Sequence, residues 1–95
     1  MNEEHGWIIT KDIIECGSDD GSMGPSGISE ATQAKLKAGE GQKFKMYDDD
    51  GELYYEGLYI ESKDSDGFEP LDDFGMPNAG CTEIKYLEDG EWKSL

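Results

Sequence analysis

The stretch KFKMYDDDGELYYEGLYIE, residues 43–61, constrains the fold more than any other part of the chain. It contains two runs of alternating apolar and polar residues joined by Asp50-Gly51. An Asp-Gly pair between two such runs is among the strongest local signals for a β-hairpin, because a type I′ turn needs positive φ at both central residues. With that two-residue loop, we expect Tyr47 to face Tyr54 across the hairpin.

The predicted register sorts the hairpin side chains onto two faces. Lys45 pairs with Glu56 on a face that also carries Tyr47 and Tyr54. A slip of one residue would exchange the two faces, so the pattern specifies the register well. The other face is apolar, and its expected members are Phe44, Met46, Leu53, Tyr55 and Tyr59.

Two further segments predict strands. Residues 7–14, WIITKDII, are typical of a strand that bends near Lys11-Asp12, and either face of it could point inward. Asp89-Gly90 predicts a second hairpin between residues 82–87 and 91–95, with Leu87 facing Trp92.

One short helix is expected between Ser29 and Gly39. Ser29 is a suitable N-cap, and Gly39 is placed to end the helix. The residues expected to face the sheet are Ala31, Ala34, Leu36 and Ala38.

Two segments rich in glycine and proline predict irregular loops. Residues 17–27 contain no periodic apolar pattern, and residues 68–80 carry Phe68, Leu71, Phe74 and Met76, which implies a loop that packs on the core. The whole pattern predicts one α+β domain over residues 1–95. We expect about five antiparallel strands in hairpins, one short helix on a face, and long irregular loops.

The charge restricts the classes of partner. The chain has 23 Asp and Glu residues, eight basic residues that are all lysine, and a net charge of −15. Such a field repels nucleic acid and anionic membranes and attracts basic surfaces. We therefore expect no direct nucleic-acid binding. We also expect no membrane association, since no apolar run approaches the length of a span. The N-terminal residues lack the pattern of a signal peptide, so a cytoplasmic location is expected.

The cysteines predict neither a zinc site nor a catalytic centre. Cys16 and Cys81 are far apart and belong to no Cys/His cluster, so we expect two buried free thiols. A dyad with His5 is disfavoured, because the surrounding acids would raise the thiol pKa.

The run Asp48-Asp49-Asp50-Gly51 invites comparison with a calcium-binding loop. Counted against an EF-hand, its first position is Met46 and its last is Gly57, so the match fails at both ends. We therefore expect no metal site and no cofactor. Turn chemistry explains the Asp-Gly pairs. A weak divalent-cation-binding or small enzymatic domain that uses these Asp-rich turns is the alternative.

An aromatic and acidic patch is the candidate binding surface. Tyrosines are enriched at protein interfaces, because the ring is apolar and its tip is polar. If the helix covers the tyrosine face instead, no such patch exists. We expect a non-enzymatic interaction module that binds a basic protein surface, one form of which is an inhibitor that occupies a nucleic-acid site. The candidate interface residues are Tyr47, Tyr54, Glu52, Glu56, Asp48, Asp49, Asp72 and Asp73.

Three motifs carry a family resemblance. YDDDGELYYEG, PLDDFGMPNAGCTEI and the closing EDGEW resemble a family of small bacterial and phage-borne proteins. The resemblance covers most of the chain from Phe44 onward and the opening GWIITKD. It implies a prokaryotic source, and it implies no particular activity.

Overall fold

The computed structural model describes residues 5–14, 18–19, 21–25, 27–62 and 65–95. The strands are β1 (Gly6–Asp12), β2 (Ser18–Asp19), β3 (Met23–Gly24), β4 (Gln42–Tyr47), β5 (Leu53–Ile60), β6 (Glu83–Glu88) and β7 (Glu91–Ser94). The helical elements are α1 (Glu30–Lys37), a π-helical turn (Leu71–Gly75) and α2 (Met76–Ala79). The predicted α+β class is confirmed.

The seven strands found among the described residues belong to one antiparallel sheet. Its order is β2-β1-β5-β4-β6-β7, and the two-residue strand β3 also pairs with β1. The hairpin β4–β5 lies at the centre, between β1 and β6. The hairpin β4–β5, which the sequence specifies most strongly, therefore has strands on both sides.

The main core lies on the face of the central hairpin that the sequence predicts to be apolar. Phe44 and Met46 pair with Gly57 and Tyr55 as expected. The Phe44 ring fills the space above Gly57, where a Cβ atom would lie 2.5 Å from the ring. The buried members of this core are Trp7, Ile9, Phe44, Met46, Tyr55, Tyr59, Leu71, Cys81, Ile84 and Tyr86.

The predicted turn and its flanking register are wrong. A bulge shifts the pairing after Met46, so Tyr47 pairs with Leu53 and not with Tyr54. Asp48 causes the difference, because its Oδ1 accepts the backbone N–H groups of Asp50 and Glu52, each at 2.9 Å. These bonds favour a longer loop that closes with Gly51 at φ 81°. Leu53 consequently leaves the apolar face, and Tyr54 packs against the main core instead.

The second hairpin has the turn that the sequence predicts. Asp89 and Gly90 have φ values of 51° and 82°, as a type I′ turn requires. Leu87 pairs with Trp92 in the expected register.

The helix α1 has the predicted ends but a different inward face. Ser29 Oγ accepts the backbone N–H of Thr32, and the turn closes after Ala38. A period of 3.6 residues places Leu36 opposite the three alanines, so one face cannot contain them all. The sheet receives the larger side chain: Thr32 and Leu36 are buried, whereas Ala31, Ala34 and Ala38 are exposed.

This helix packs on the sheet face opposite the main core, the face for which the sequence predicts the Tyr47 and Tyr54 patch. The alternative in which the helix lies on the tyrosine face is therefore the one that the structure shows. Leu36 forms a second apolar cluster with Ile8 and Ile28, and Leu58 and Ile60 pack against it. Neighbouring side chains of β1 thus lie on opposite faces of the sheet: Ile9 is in the main core, and Ile8 is in the second cluster.

Both predicted loops contain regular structure. Residues 17–27 include β2 and β3, which pair with β1. Residues 69–79 are helical and include the π-helical turn. Leu71 is buried and Phe74 packs on the core, but Phe68 and Met76 are exposed, so the predicted packing holds for only half of the expected residues.

Candidate functional site

A groove of about 500 Å³ opens beside the central hairpin, close to the Asp48 turn. Its apolar lining includes Ile14, which is 51% exposed. A large side chain exposed to this degree next to other apolar groups is a feature of interaction surfaces. We call this site the hairpin groove, and its lining residues are Ile13, Ile14, Glu52, Leu53, Tyr54, Asn78 and Ala79.

Three segments meet to form the hairpin groove. The chain continues past the end of β1, where the N–H of Ile13 donates a 2.8 Å hydrogen bond to the carbonyl of Tyr54. The helix α2 supplies Asn78 and Ala79, and the Asn78 amide donates to the Phe74 carbonyl at 2.8 Å. The groove therefore depends on contacts between distant parts of the sequence.

The carboxylate of Glu52 lines the groove on the hairpin side, and Asp48 lies in the adjoining turn. The N–H of Glu52 lowers the pKa of Asp48 most strongly, and the Tyr54 hydroxyl and other turn N–H groups add to this effect. The same hydroxyl–carboxylate bond is the main reason that the pKa of Tyr54 is raised. Asp48 is thus held ionised beside the Tyr54 ring, whose hydroxyl remains a proton donor.

Two of the predicted interface residues lie on the other side of the sheet. Glu56 pairs with Lys45 on one side and Lys11 on the other, and Lys85 Nζ lies 4.9 Å from the centre of the Tyr47 ring. Tyr47 pairs with Glu83 across the sheet and has lysine and carboxylate neighbours, and neither Tyr47 nor Glu56 lines the hairpin groove.

A second groove lies on this opposite face. It has a volume of about 460 Å³, and its charged lining residues are Lys43, Lys45 and Glu56. The ammonium group of Lys45 lies 4.4 Å from the centre of the Trp92 ring.

The two remaining predicted interface residues lie on the π-helical turn. Asp72 is exposed, whereas Asp73 Oδ2 accepts the indole N–H of the buried Trp7 at 3.2 Å. Asp73 joins the helical segment to β1, and neither residue lines the hairpin groove. Of the eight candidates, Tyr54 and Glu52 line it, and Asp48 and Asp49 belong to the adjoining turn.

The thiol of Cys81 is buried and unpaired. Burial, and after it the charge of Asp48, raise the pKa of this thiol to about 11. Cys16 lies outside the described residues. Within the part of the chain that the structure describes, no group of three or more His, Cys, Asp and Glu side chains is placed to hold a metal ion.

Sequence reasoning missed the part of the groove contributed by Ile13, Ile14 and α2. The bend predicted near Lys11-Asp12 was the available signal, because it separates the Ile-Ile pair from the strand. The helix carries Pro77 and is flanked by glycines, a composition that favours a loop assignment.

Comparison with known proteins finds no matching family model, no matching curated protein and no matching solved structure. Among the described residues, no helix combines the length and the apolar character that crossing a membrane would require.

Proposed function

We propose that this protein is a non-enzymatic interaction module that holds a basic segment of a partner protein in the hairpin groove. The observation that supports the proposal is that apolar side chains and the Glu52 carboxylate line one groove, next to the acidic turn of Asp48. Ile14 and Tyr54 offer apolar surface, and Glu52 lines the same groove. A partner segment with alternating basic and apolar side chains matches both features.

The two kinds of group have different tasks in this proposal. The charge of −15 attracts a basic partner from a distance and raises the rate of encounter. Apolar contact with Ile14, Leu53 and Tyr54 fixes the position of the bound segment, and charge attraction supplies the salt-sensitive part of the affinity, without which the complex is weak. Asp48, held ionised by its turn, keeps the rim negative over a wide range of pH.

A narrower form of the proposal concerns the kind of basic surface. A protein site that binds nucleic acid is basic, so occupation by the acidic turn at residues 48–52 would block it. In this form the protein is an inhibitor of nucleic-acid binding, and added DNA competes with it for the partner.

Affinity capture from a bacterial lysate tests the proposal. The wild-type protein, Ile14→Ser and Glu52→Lys are immobilised, and Glu30→Lys provides an equal charge change on the exposed surface of α1. We expect the wild type and Glu30→Lys to retain the same basic protein, and both groove variants to lose it. The retained protein should elute at about 0.5 M NaCl, where the Debye length is about 4 Å.

Equal retention by all four proteins would overturn the proposal. The rival metal-binding function is tested separately by thermal unfolding with increasing Ca²⁺, with Mg²⁺ as the control for screening. A melting temperature that rises with Ca²⁺ concentration but not with Mg²⁺ would favour the rival function, since a ligand stabilises the state that binds it.

A further inference from the structure

The strand β7 lies at the edge of the sheet, and within the described part of the chain it pairs with β6 alone. All four of its residues are exposed. Edge strands present unpaired backbone groups that can pair with another strand.

The direction of these backbone groups follows from the hairpin register. The N–H of Leu95 donates to the Ile84 carbonyl at 3.3 Å, so Leu95 points its backbone groups toward β6. Alternate residues of an antiparallel strand point to opposite sides. Glu91 and Lys93 therefore also bond toward β6, and Trp92 points its N–H and C=O outward from the sheet.

We propose that β7 pairs antiparallel with β7 of a second copy of this chain, with the two Trp92 residues directly opposite each other. The pairing follows a two-fold axis and continues the sheet of one copy into that of the other. Each Trp92 N–H donates to the Trp92 carbonyl of the other copy, and each Ser94 lies opposite the Asp89-Gly90 turn of the other copy.

Charge complementarity selects this register. When the two Trp92 residues face each other, Glu91 faces Lys93 of the second copy, and Lys93 faces its Glu91. Both resulting pairs are of opposite charge, and directly opposed pairs of this kind stabilise a sheet. In the two-fold arrangement each Glu91 and each Lys93 therefore faces a residue of opposite charge.

The nearest alternative register is disfavoured. Outward-pointing groups can also pair if the axis passes through Lys93, but the two lysines would then face each other directly, which is destabilising. If the axis passed between residues 92 and 93, Trp92 would face Lys93 of the other copy. The backbone groups of Trp92 point outward, whereas those of Lys93 point toward β6, so no hydrogen bond would form between them.

The association has a characteristic salt response. Two copies of charge −15 repel each other, and the paired strands are short, so the dimer is weak at low salt. Screening weakens the long-range repulsion between whole copies, so added salt strengthens the dimer. Binding of a basic partner in the hairpin groove has the opposite response, so a failure of one proposal is distinguishable from a failure of the other.

Sedimentation equilibrium tests the pairing at chain concentrations up to about 1 mM. We expect the wild type to dimerise at about 0.5 M NaCl and less at low salt. Glu91→Lys and Lys93→Glu each replace opposite-charge pairs by like-charge pairs, so each should weaken self-association at least about tenfold. Glu30→Lys makes the same charge change as Glu91→Lys away from the edge and should still dimerise.

The decisive arm mixes the two single variants. Strands with Lys at positions 91 and 93 face strands with Glu at both, so all the opposed pairs become complementary. We expect the mixture to form a heterodimer, detected by native mass spectrometry, while each variant alone stays monomeric. A monomeric wild type at every salt concentration, or variants that dimerise as well as the wild type, would overturn the proposal. Far-UV circular dichroism confirms that each variant is folded.

Discussion

The Tyr59 hydroxyl donates a 2.6 Å hydrogen bond to Oε1 of Glu69. The same carboxylate accepts the backbone N–H groups of Gly67 at 2.9 Å and Asp66 at 3.0 Å. Partial burial acts to raise the pKa of Glu69, but these bonds outweigh it and lower the pKa to about 2. The ionised side chain of Glu69 thus joins the residues that precede the π-helical turn to Tyr59 of β5.

Glu69→Gln should destabilise the protein in a pH-dependent way. The amide cannot replace the charged acceptor of three hydrogen bonds, so we expect a loss of about 1–2 kcal/mol at neutral pH. A lowered native pKa stabilises the fold above the ordinary pKa of 4.5, and that contribution is lost as the pH falls toward 2. Urea unfolding of both proteins between pH 7 and pH 2 should therefore show a difference that shrinks on acidification.

Glu52→Gln is the control for this prediction, because it removes one exposed carboxylate that takes no part in the Tyr59 network. A difference between wild type and Glu69→Gln that stays constant with pH, or grows on acidification, would show that the hydrogen bonds of Glu69 do not hold its pKa low.

The neighbouring tyrosines of β5 should respond differently to truncation. Tyr55 is 4% exposed and lies in the main core, so Tyr55→Ala should cost about 3–5 kcal/mol. Tyr54 is only partly buried at the groove, so the urea midpoint of Tyr54→Ala should lie closer to that of the wild type. The same substitution should weaken capture of the partner. If Tyr54→Ala unfolded the protein and Tyr55→Ala did not, the placement of Tyr55 in the core and of Tyr54 at its partly exposed edge would be wrong.

The two hairpins offer a matched test of turn geometry. Asp89 has φ 51°, and Asp89→Ala should cost roughly 1 kcal/mol, because alanine tolerates the left-handed region poorly. Asp50 precedes a glycine in the same way, but positive φ is found at Gly51 and not at Asp50. Asp50→Ala should therefore stay within about 0.5 kcal/mol of the wild type. Equal losses in urea unfolding would contradict the difference between the two turns.

Cys81 should be unreactive in the folded protein. Its side chain is fully buried, and its pKa is raised to about 11, so little thiolate forms at neutral pH. In a Cys16→Ser variant, which leaves one thiol, iodoacetamide should modify the native protein far more slowly than the urea-unfolded protein. Similar rates in the two states would show that the Cys81 site opens readily.

The sequence predicts the parts of the fold that local patterns decide. Alternation of apolar residues places Phe44 and Met46 in the core, and the Asp89-Gly90 signal identifies a true type I′ turn. The same dipeptide at Asp50-Gly51 misleads, because the preceding Asp48 side chain competes for the turn N–H groups. Local backbone preference fails where a neighbouring side chain offers other hydrogen bonds.

Long-range packing decides what the sequence leaves open. The helical segment at residues 69–79 carries Pro70 and Pro77 and has no side-chain cap on its π-helical turn or on α2, so its tertiary contacts, both apolar burial and hydrogen bonds to Trp7 and Tyr59, stabilise it. The hairpin groove depends on this segment and on the chain after β1. Tyr54 and Glu52 were accessible to sequence reasoning because they belong to the hairpin, whereas Ile14 and Ala79 join them only in the folded chain.

Site-specific photo-crosslinking tests the central claim most directly. A photoreactive residue is placed at position 14 or 52 in the groove and, as the control, at position 30 on α1, and each protein is irradiated in a bacterial lysate at low salt. We predict that positions 14 and 52 crosslink to the same basic protein, that position 30 does not, and that about 0.5 M NaCl removes the product. Crosslinking to that protein from position 30 alone, or no salt-sensitive product from the groove positions, would contradict the assignment of the hairpin groove as the binding site.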